Sequence, residues 1–345
     1  MTTYVSTGSG AWTEPGAYEV APGVHRVPLP LPDDGLRAIN VYVLTTPDGL
    51  VLVDGGWAIP ASREALSASL AELGATVGDI TRFLVTHVHR DHYTQAVVLR
   101  QETGAHVGLG LGEKPVLDLL QEPDRAPLEG QIAGLRAAGA TELAELIGER
   151  SKGHRVDPRQ WESPDAWLEP GLLPLPGGRV LNAVATPGHT AGHLVFHDLE
   201  GSLLFAGDHV LPTITPSIGF EPVLSPDPLG AFLRSLALVR ERPDALLLPA
   251  HGPVAPSVHA RVDELVAHHG RRLEQTETAC AAGASSVFEV AGQLIWTRRE
   301  HRLADLDPFN TMLAVFETGA HLELLVAQGR LAMAVEDGIE QYGSI

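Results

Sequence analysis

The sequence predicts an α/β (α+β) fold: a four-layer αββα sandwich with a helical insertion and a small C-terminal domain of winged-helix-like make-up. Three observations predict it. Short β-type runs alternate with helical spacing from Tyr18 to the histidines near residue 90. The same alternation returns from Arg179 onward. Between these halves, and again after Gly252-Pro253, the pattern turns helical.

In chain order, Val24 to Val27, Ile39 to Leu44 and Leu50 to Val53 are β-rich runs broken by turns and read as strands. Ala61 to Leu73 carries Leu66, Leu70 and Leu73 at helical spacing, and Ile80 to Val85 is a buried-type strand running into Thr86 and a histidine cluster. From about Gly110 to Pro170 helical segments are separated by Pro and Gly. Leu128, Ile132 and Leu135 form one apolar stripe; Leu143, Leu146 and Ile147 form another, with Gly139 between them. This stretch reads as an inserted helical cap, or equally as a helical decoration of the sandwich. Strands return at Arg179 to Thr186, Leu194 to His197, Leu203 to Ala206 and Ala245 to Leu248, with a helix over Gly230 to Val239. Pro256-Ser257 starts a long helix, a second spans Ser285 to Trp296, and Asp307-Pro308 caps a third that reaches Gln328. Leu331 to Tyr342 reads as a strand pair turning at Asp337-Gly338. The expected division is therefore a catalytic domain over 1–253, insertion included, and a winged-helix-like domain over 254–345.

Lys+Arg is 24 against 43 for Asp+Glu, a formal charge of −19, with no basic block. Such a surface repels nucleic acid and anionic membranes. Residues 254–345 hold seven Arg, no Lys and thirteen Asp plus Glu, so the winged-helix-like part is not expected to read DNA, and RNA is a disfavoured partner. A small-molecule substrate is the expected partner, and the apolar helical additions suit a homodimer surface. Cys280 is the single cysteine, which excludes an intrachain disulfide and a thiolate metal cluster. Met1 to Pro22 has neither a basic start nor an apolar stretch of signal-peptide length, and no segment reaches the ~20 apolar residues of a membrane span. A cytoplasmic protein is expected.

Most of the sixteen histidines read as packing or surface residues, among them His25, His106, His154, His268, His269, His301 and His321. The run His87-Val88-His89-Arg90-Asp91-His92 is different: three imidazoles and a carboxylate directly follow a buried strand. A strand end and a tight loop can send His87 and His89 to one metal and Asp91 and His92 to a second. Further donors stand just after apolar strands: His189 in TPGHTAGH, Asp208 in AGDH, and His251 in PAHG. Imidazole and carboxylate without thiolate suit two divalent ions, zinc best, and such a site also accepts iron or manganese. A water between two such ions is acidified to hydroxide near neutral pH and can attack a carbonyl carbon or phosphorus. Asp91 is the candidate catalytic residue, orienting that hydroxide and accepting its proton.

These segments, with Asp54 in Val53-Asp54-Gly55-Gly56, resemble the motif series of the metallo-β-lactamase fold, in order, from about residue 20 to 253. By that resemblance His87, His89 and His189 would hold the first metal, Asp91, His92 and His251 the second, and Asp208 would bridge them. Asp54, with His193 and His209, would orient ligands by hydrogen bonding rather than bind metal.

Secreted β-lactamases of this fold commonly carry Cys or Ser where this chain has Asp208, so the resemblance points to the branch of glyoxalase II, lactonases and related hydrolases, with β-lactamase activity a minor alternative. Gly207 to Pro216 and the helical tail resemble a branch whose sandwich carries a C-terminal winged-helix-like domain, some members of which cleave RNA. The common Gly-Gly after the cluster is replaced here by Thr94-Gln95, so the resemblance does not extend to the helix start. The implied function is metal-dependent hydrolysis of a carboxylic ester, thioester or lactone. The alternatives are phosphodiester or endoribonuclease cleavage, and a persulfide-dioxygenase-like reaction on one iron held by His87, His189 and Asp208. Arg90, Arg298, Arg299 and Arg302 are candidates to meet an acyl or anionic group.

Overall fold

The structure, a computed structural model, describes residues 11–32, 35–122, 125–126, 128–153, 157–223, 225–296 and 301–345. His154, Arg298 and Arg299 lie outside them, as do the first ten residues of the N-terminal stretch read above for a signal peptide. The chain divides into two compact units, one of residues 1–121, 157–216 and 235–262, the other of 122–156, 217–234 and 263–345.

The first unit is a sandwich of two sheets. β1 (Tyr18–Ala21), β2 (Val24–Pro30), β3 (Ala38–Thr46) and β4 (Gly49–Val53) form an antiparallel meander. α1 (Pro60–Glu72) then carries the chain to β5 (Ile80–Val85), and α2 (Arg90–Thr103) carries it to β6 (His106–Gly110). Helical crossovers make β4, β5 and β6 parallel neighbours. After α3 (Lys114–Leu120), and two helices of the other unit, α4 (Glu129–Ala137) and α5 (Thr141–Ser151), the three-residue β7 (Ala166–Leu168) completes this seven-stranded sheet. The second sheet has the order β12-β11-β10-β9-β8, from β8 (Gly171–Pro174), β9 (Val180–Ala185), β10 (Leu194–Asp198), β11 (Leu203–Gly207) and, beyond α6 (Pro228–Arg240), β12 (Leu246–Pro249).

The two sheets are held by one apolar layer. Tyr42, Leu44, Val51, Val53 and Leu84 of the first sheet meet Leu181, Leu194, Phe196, Phe205 and Leu248 of the second, all nearly inaccessible to water. Tyr42 and Phe205 meet edge to face with ring centroids 5.4 Å apart. Each such side chain contributes about 1.5–3 kcal/mol on burial. β5, β10, β11 and β12 are largely buried along both faces, which is why they read as continuous apolar runs rather than alternating ones. The αββα class expected from the sequence is the one observed. The stretch from 110 to 170 is less uniformly helical than its pattern suggests, because β7 is too short to show a period.

The second unit contains α4, α5, most of α7 (Val258–Ala281), α8 (Val287–Gln293), a small pair β13 (Ile295–Trp296) and β14 (His301–Arg302), α9 (Pro308–Ala327), and a hairpin of β15 (Leu331–Glu336) and β16 (Ile339–Ser344). Its helix starts follow their capping residues. The Asp307 carboxylate accepts from the Phe309 and Asn310 amides with Pro308 in the first turn, and Ser286 and Glu289 cap α8 reciprocally. The hairpin turns on Asp337 and Gly338, both at positive φ, as a tight two-residue turn requires. The second helix is shorter than the expected Ser285 to Trp296: Leu294 is extended, and Ile295 and Trp296 leave the helix to pair with β14.

Candidate metal centre

Every predicted metal-site residue lies in the first unit, at loops that follow strand ends. His87 and His89 occupy the loop after β5, and α2 begins inside the motif at Arg90, so Asp91 and His92 project from its first turn. A carboxylate there is favoured by the partial positive charge of the exposed amides. His189 lies between β9 and β10, Asp208 directly after β11, and His251 after β12.

These loops bring two donor groups together. His87, His89, His189 and Asp208 form one, and Asp91, His92 and His251 the other, with ligand atoms in each within 4.8 Å of one another. In the first, His89 Nδ1 lies 3.0 Å from His87 Nε2 and 3.1 Å from His189 Nε2. In the second, His251 Nε2 is 3.4 Å and His92 Nε2 is 3.7 Å from Asp91 Oδ2. Asp208 faces both: Oδ2 lies 3.5 Å from His189 Nε2, while Oδ1 lies 3.3 Å from His251 Nε2 and 3.6 Å from His92 Nε2. One carboxylate thus presents an oxygen to each group.

The surrounding hydrogen bonds fix which ring nitrogens face inward. His92 Nδ1 donates to Asp54 Oδ2 at 2.9 Å and His251 Nδ1 donates to the Ala38 carbonyl at 2.8 Å. Both partners can only accept, so in the neutral rings Nε2 carries the lone pair. These two Nε2 atoms and Asp208 Oδ1 are buried without a hydrogen-bond partner among the described residues. Buried polar atoms left in this state cost about 1–3 kcal/mol each unless a cation or water satisfies them. The donor set therefore fits two divalent metal ions.

The carboxylates give the site an excess of negative charge, which either a proton on His92 or a bound cation offsets. Burial lowers the His92 pKa, but the carboxylates of Asp54, Asp91 and Asp208 outweigh it and push it up to about 10. Burial raises Asp91, and the imidazoles of His92 and His251 more than reverse that. His87 is driven well below its ordinary value, by burial first and then by its imidazole neighbours, so it is neutral and able to donate its lone pair.

Of the residues expected to support the ligands, Asp54 sits at φ 64° just after β4 and accepts from the Thr86 amide at 2.8 Å and its hydroxyl at 2.9 Å, besides holding His92. His193 is in neither donor group: its Nε2 accepts from the Asp208 amide at 3.2 Å, and its Nδ1 meets Thr186 Oγ1 at 2.9 Å. His209 is fully buried with its ring 6.1 Å from that of His193. Gly207 holds the approach open. A Cβ on it would meet His193 Nε2 at 2.7 Å and Thr86 Cβ at 2.8 Å.

Thr94 and Gln95 build the helix start by side-chain bonds instead of by glycine. Thr94 Oγ1 accepts from the Ala58 amide at 2.9 Å, and Gln95 Nε2 donates to the Gly55 carbonyl at 2.8 Å, stitching α2 to the loop after β4. Arg90 lies over the Trp57 ring at 4.3 Å. Arg302, in the second unit, donates its amide to Asp305.

Glu113 escaped the sequence reading. It is fully buried, accepts from Thr190 Oγ1 at 2.5 Å, and takes the backbone amides of Val88 and Gly192. It thereby ties the His87/His89 loop to the His189 loop. Burial pushes its pKa up to about 7 against those hydrogen bonds. Its only sequence signal is the glycine at 192, where a Cβ would meet the Glu113 nitrogen at 2.1 Å, and that signal has meaning only once the two segments are known to touch.

Residues 34–251 match the family described as the Metallo-beta-lactamase superfamily. A beta-lactamase-like protein 2 homolog of Caenorhabditis elegans is 27% identical over 69% of this chain and 63% of its own length. An atrochrysone carboxyl ACP thioesterase of Paecilomyces divaricatus is 24% identical over 70% of this chain and 58% of its own. The chain thus spans under two thirds of the length of these curated relatives. The crystal structure of a metallo-beta-lactamase family protein from Thermus thermophilus superposes with a TM-score of 0.78 at 29% identity, covering 95% of this chain and all of the other.

Proposed function

The chain belongs to the metallo-β-lactamase superfamily, and from that premise we propose that it is a dinuclear metal-dependent hydrolase of carboxylic esters, thioesters or lactones, of glyoxalase II/lactonase-like type. The observation that carries the reading is Asp208, whose two oxygens face the two donor groups. Two divalent ions, which we propose to be zinc, would supply an acidified water and Lewis acidity toward the substrate carbonyl.

The protein's own residues do the rest. His87, His89, His189 and Asp208 would hold one ion, and Asp91, His92, His251 and Asp208 the other. Asp54 fixes the His92 tautomer and the Ala38 carbonyl that of His251, so each ring is oriented before any ligand arrives. Asp91, 14% exposed at its side chain while the rings of His92 and His251 beside it are nearly sealed, is the group placed to take the attacking water's proton. The second donor group supports a two-metal enzyme over a mononuclear dioxygenase, which would leave Asp91, His92 and His251 idle. The thioesterase among the relatives supports an acyl substrate, and the net charge of −19 weighs against RNA and DNA. The helices and hairpin after residue 254 we read as a winged-helix-like domain without a nucleic-acid role. A cytoplasmic setting rests on the single cysteine, Cys280; among the described residues no helix is long and apolar enough to cross a membrane.

A panel of thioester, lactone, β-lactam and phosphodiester substrates on metal-analysed protein tests the reading. Turnover of a thioester or lactone at about two metals per chain is expected; turnover of only bis-p-nitrophenyl phosphate or RNA overturns it.

A further inference from the structure

A second cluster of metal-type donors lies in the other compact unit. His268 and His269 of α7 and Glu317 of α9 each offer one ligand atom, all within 4.8 Å of one another. The second unit alone contains all three. Neither helix carries a residue of the proposed catalytic centre.

The protonation pattern at this cluster is set by its hydrogen bonds. His321 Nδ1 lies 2.7 Å from the Glu317 carbonyl one helical turn earlier, and a carbonyl can only accept, so Nδ1 carries the proton. His321 Nε2 is then an acceptor. It lies 3.2 Å from His269 Nδ1, which must donate to it. The relay leaves His269 Nε2 with its lone pair. That nitrogen belongs to a ring with no solvent exposure and is buried without a hydrogen-bond partner among the described residues. A ring held through one nitrogen by a hydrogen-bond acceptor, with its other nitrogen bare, is how metal-ligating histidines are oriented.

The remaining surroundings are compatible with a cation. Arg272 donates to the Ile295 carbonyl at 3.1 Å and lies 4.2 Å over the Trp296 ring, and Glu317 is the carboxylate on which its charge acts. The Glu317 carboxylate supplies the compensating negative charge. Partly exposed His268 and Glu317 can close on an ion with bonds of ~2.1 Å, leaving a fourth position for water.

We propose that His268, His269 and Glu317 form a structural metal site for a zinc-type divalent ion that clips α7 to α9, with His321 fixing the His269 tautomer. The site goes beyond the hydrolase reading and does not depend on it.

Zinc content of the full chain after loading and desalting tests this, with the substitutions Glu317→Gln and His268→Ala. Wild type is expected to hold one zinc per chain more than either variant, whatever the catalytic centre contains, while turnover of the best panel substrate is unchanged. Equal zinc content in wild type and both folded variants overturns the site. Should a variant fail to fold, anomalous scattering at the zinc edge from wild-type crystals decides: a peak beside His269 Nε2 supports the site and its absence overturns it. Loss of hydrolysis with the extra zinc retained would strike the proposed function alone.

Discussion

Asp91 and Asp54 are both carboxylates at the candidate centre, and their surroundings give them different work. Asp91 faces His92 and His251 and is partly open, whereas Asp54 is sealed and spends its oxygens on Thr86 and His92. Asp91→Ala is expected to lower kcat by about 10²–10⁴-fold, the usual contribution of a positioned acid/base group. Near-wild-type turnover with unchanged metal content would remove Asp91 from that role. Asp54→Asn keeps the shape but not the charge that holds the His92 proton, so metal affinity should fall by about 10–100-fold, read by competition with a chromogenic chelator. His197 offers a pH test away from the metal ligands. It is buried, accepts from Arg242 Nε at 3.2 Å, and is lowered to about 4 by burial and then by Arg242, against a raising effect of Asp198. The unfolded chain takes up this proton near pH 6.5 and the folded one only near 4, so stability is full above 6.5 and declines as the pH falls through that window. Urea midpoints at about pH 7.5 and about pH 5 should differ less in His197→Gln than in wild type.

At the scale of elements, the centre depends on five loops arriving at one edge of the sandwich, and the packing between them is tight enough to require particular residues. Gly207 has φ 49° and no room for a Cβ. Gly207→Ala should cost on the order of 1–3 kcal/mol and reduce metal occupancy, since the displaced neighbours are His193 and Thr86. Unchanged melting and metal content would show that the loop accommodates the methyl group. The strands and helices themselves were legible because their apolar spacing is local: β2 to β5, α1, α9 and the turn at Asp337-Gly338 all follow from periods and caps within a few residues. β7 was not, since three residues carry no period. Glu113 was not, because its partners Val88, Thr190 and Gly192 are distant in the chain.

Across the whole molecule, the metals are expected to act as part of the folded state. Removing them leaves His92 Nε2, His251 Nε2 and Asp208 Oδ1 buried and unsatisfied. An ion present at about a thousandfold its dissociation constant stabilises by about 4 kcal/mol. Treatment with a chelator should therefore lower the melting temperature by roughly 5 °C or more, reversed by adding zinc; no shift would mean that the donor groups are satisfied without metal.

The sequence by itself determined the αββα class, the order of most strands and helices, and the donor residues His87, His89, Asp91, His92, His189, Asp208 and His251 as candidates. It could do so because metal-binding side chains cluster where apolar strands end, and both signals are local. The family resemblance implied how the donors divide, but tertiary structure alone decided their distances, with one Asp208 oxygen toward each group, and that residues 122–156 join the compact unit of the C-terminal helices. It also decided that His269, one more packed histidine by its sequence, shares one cluster of donors with Glu317 and His268 and has a buried Nε2 without a hydrogen-bond partner among the described residues. Such matters depend on hydrogen bonds and close contacts between segments far apart in the chain, for which spacing along one segment holds no record.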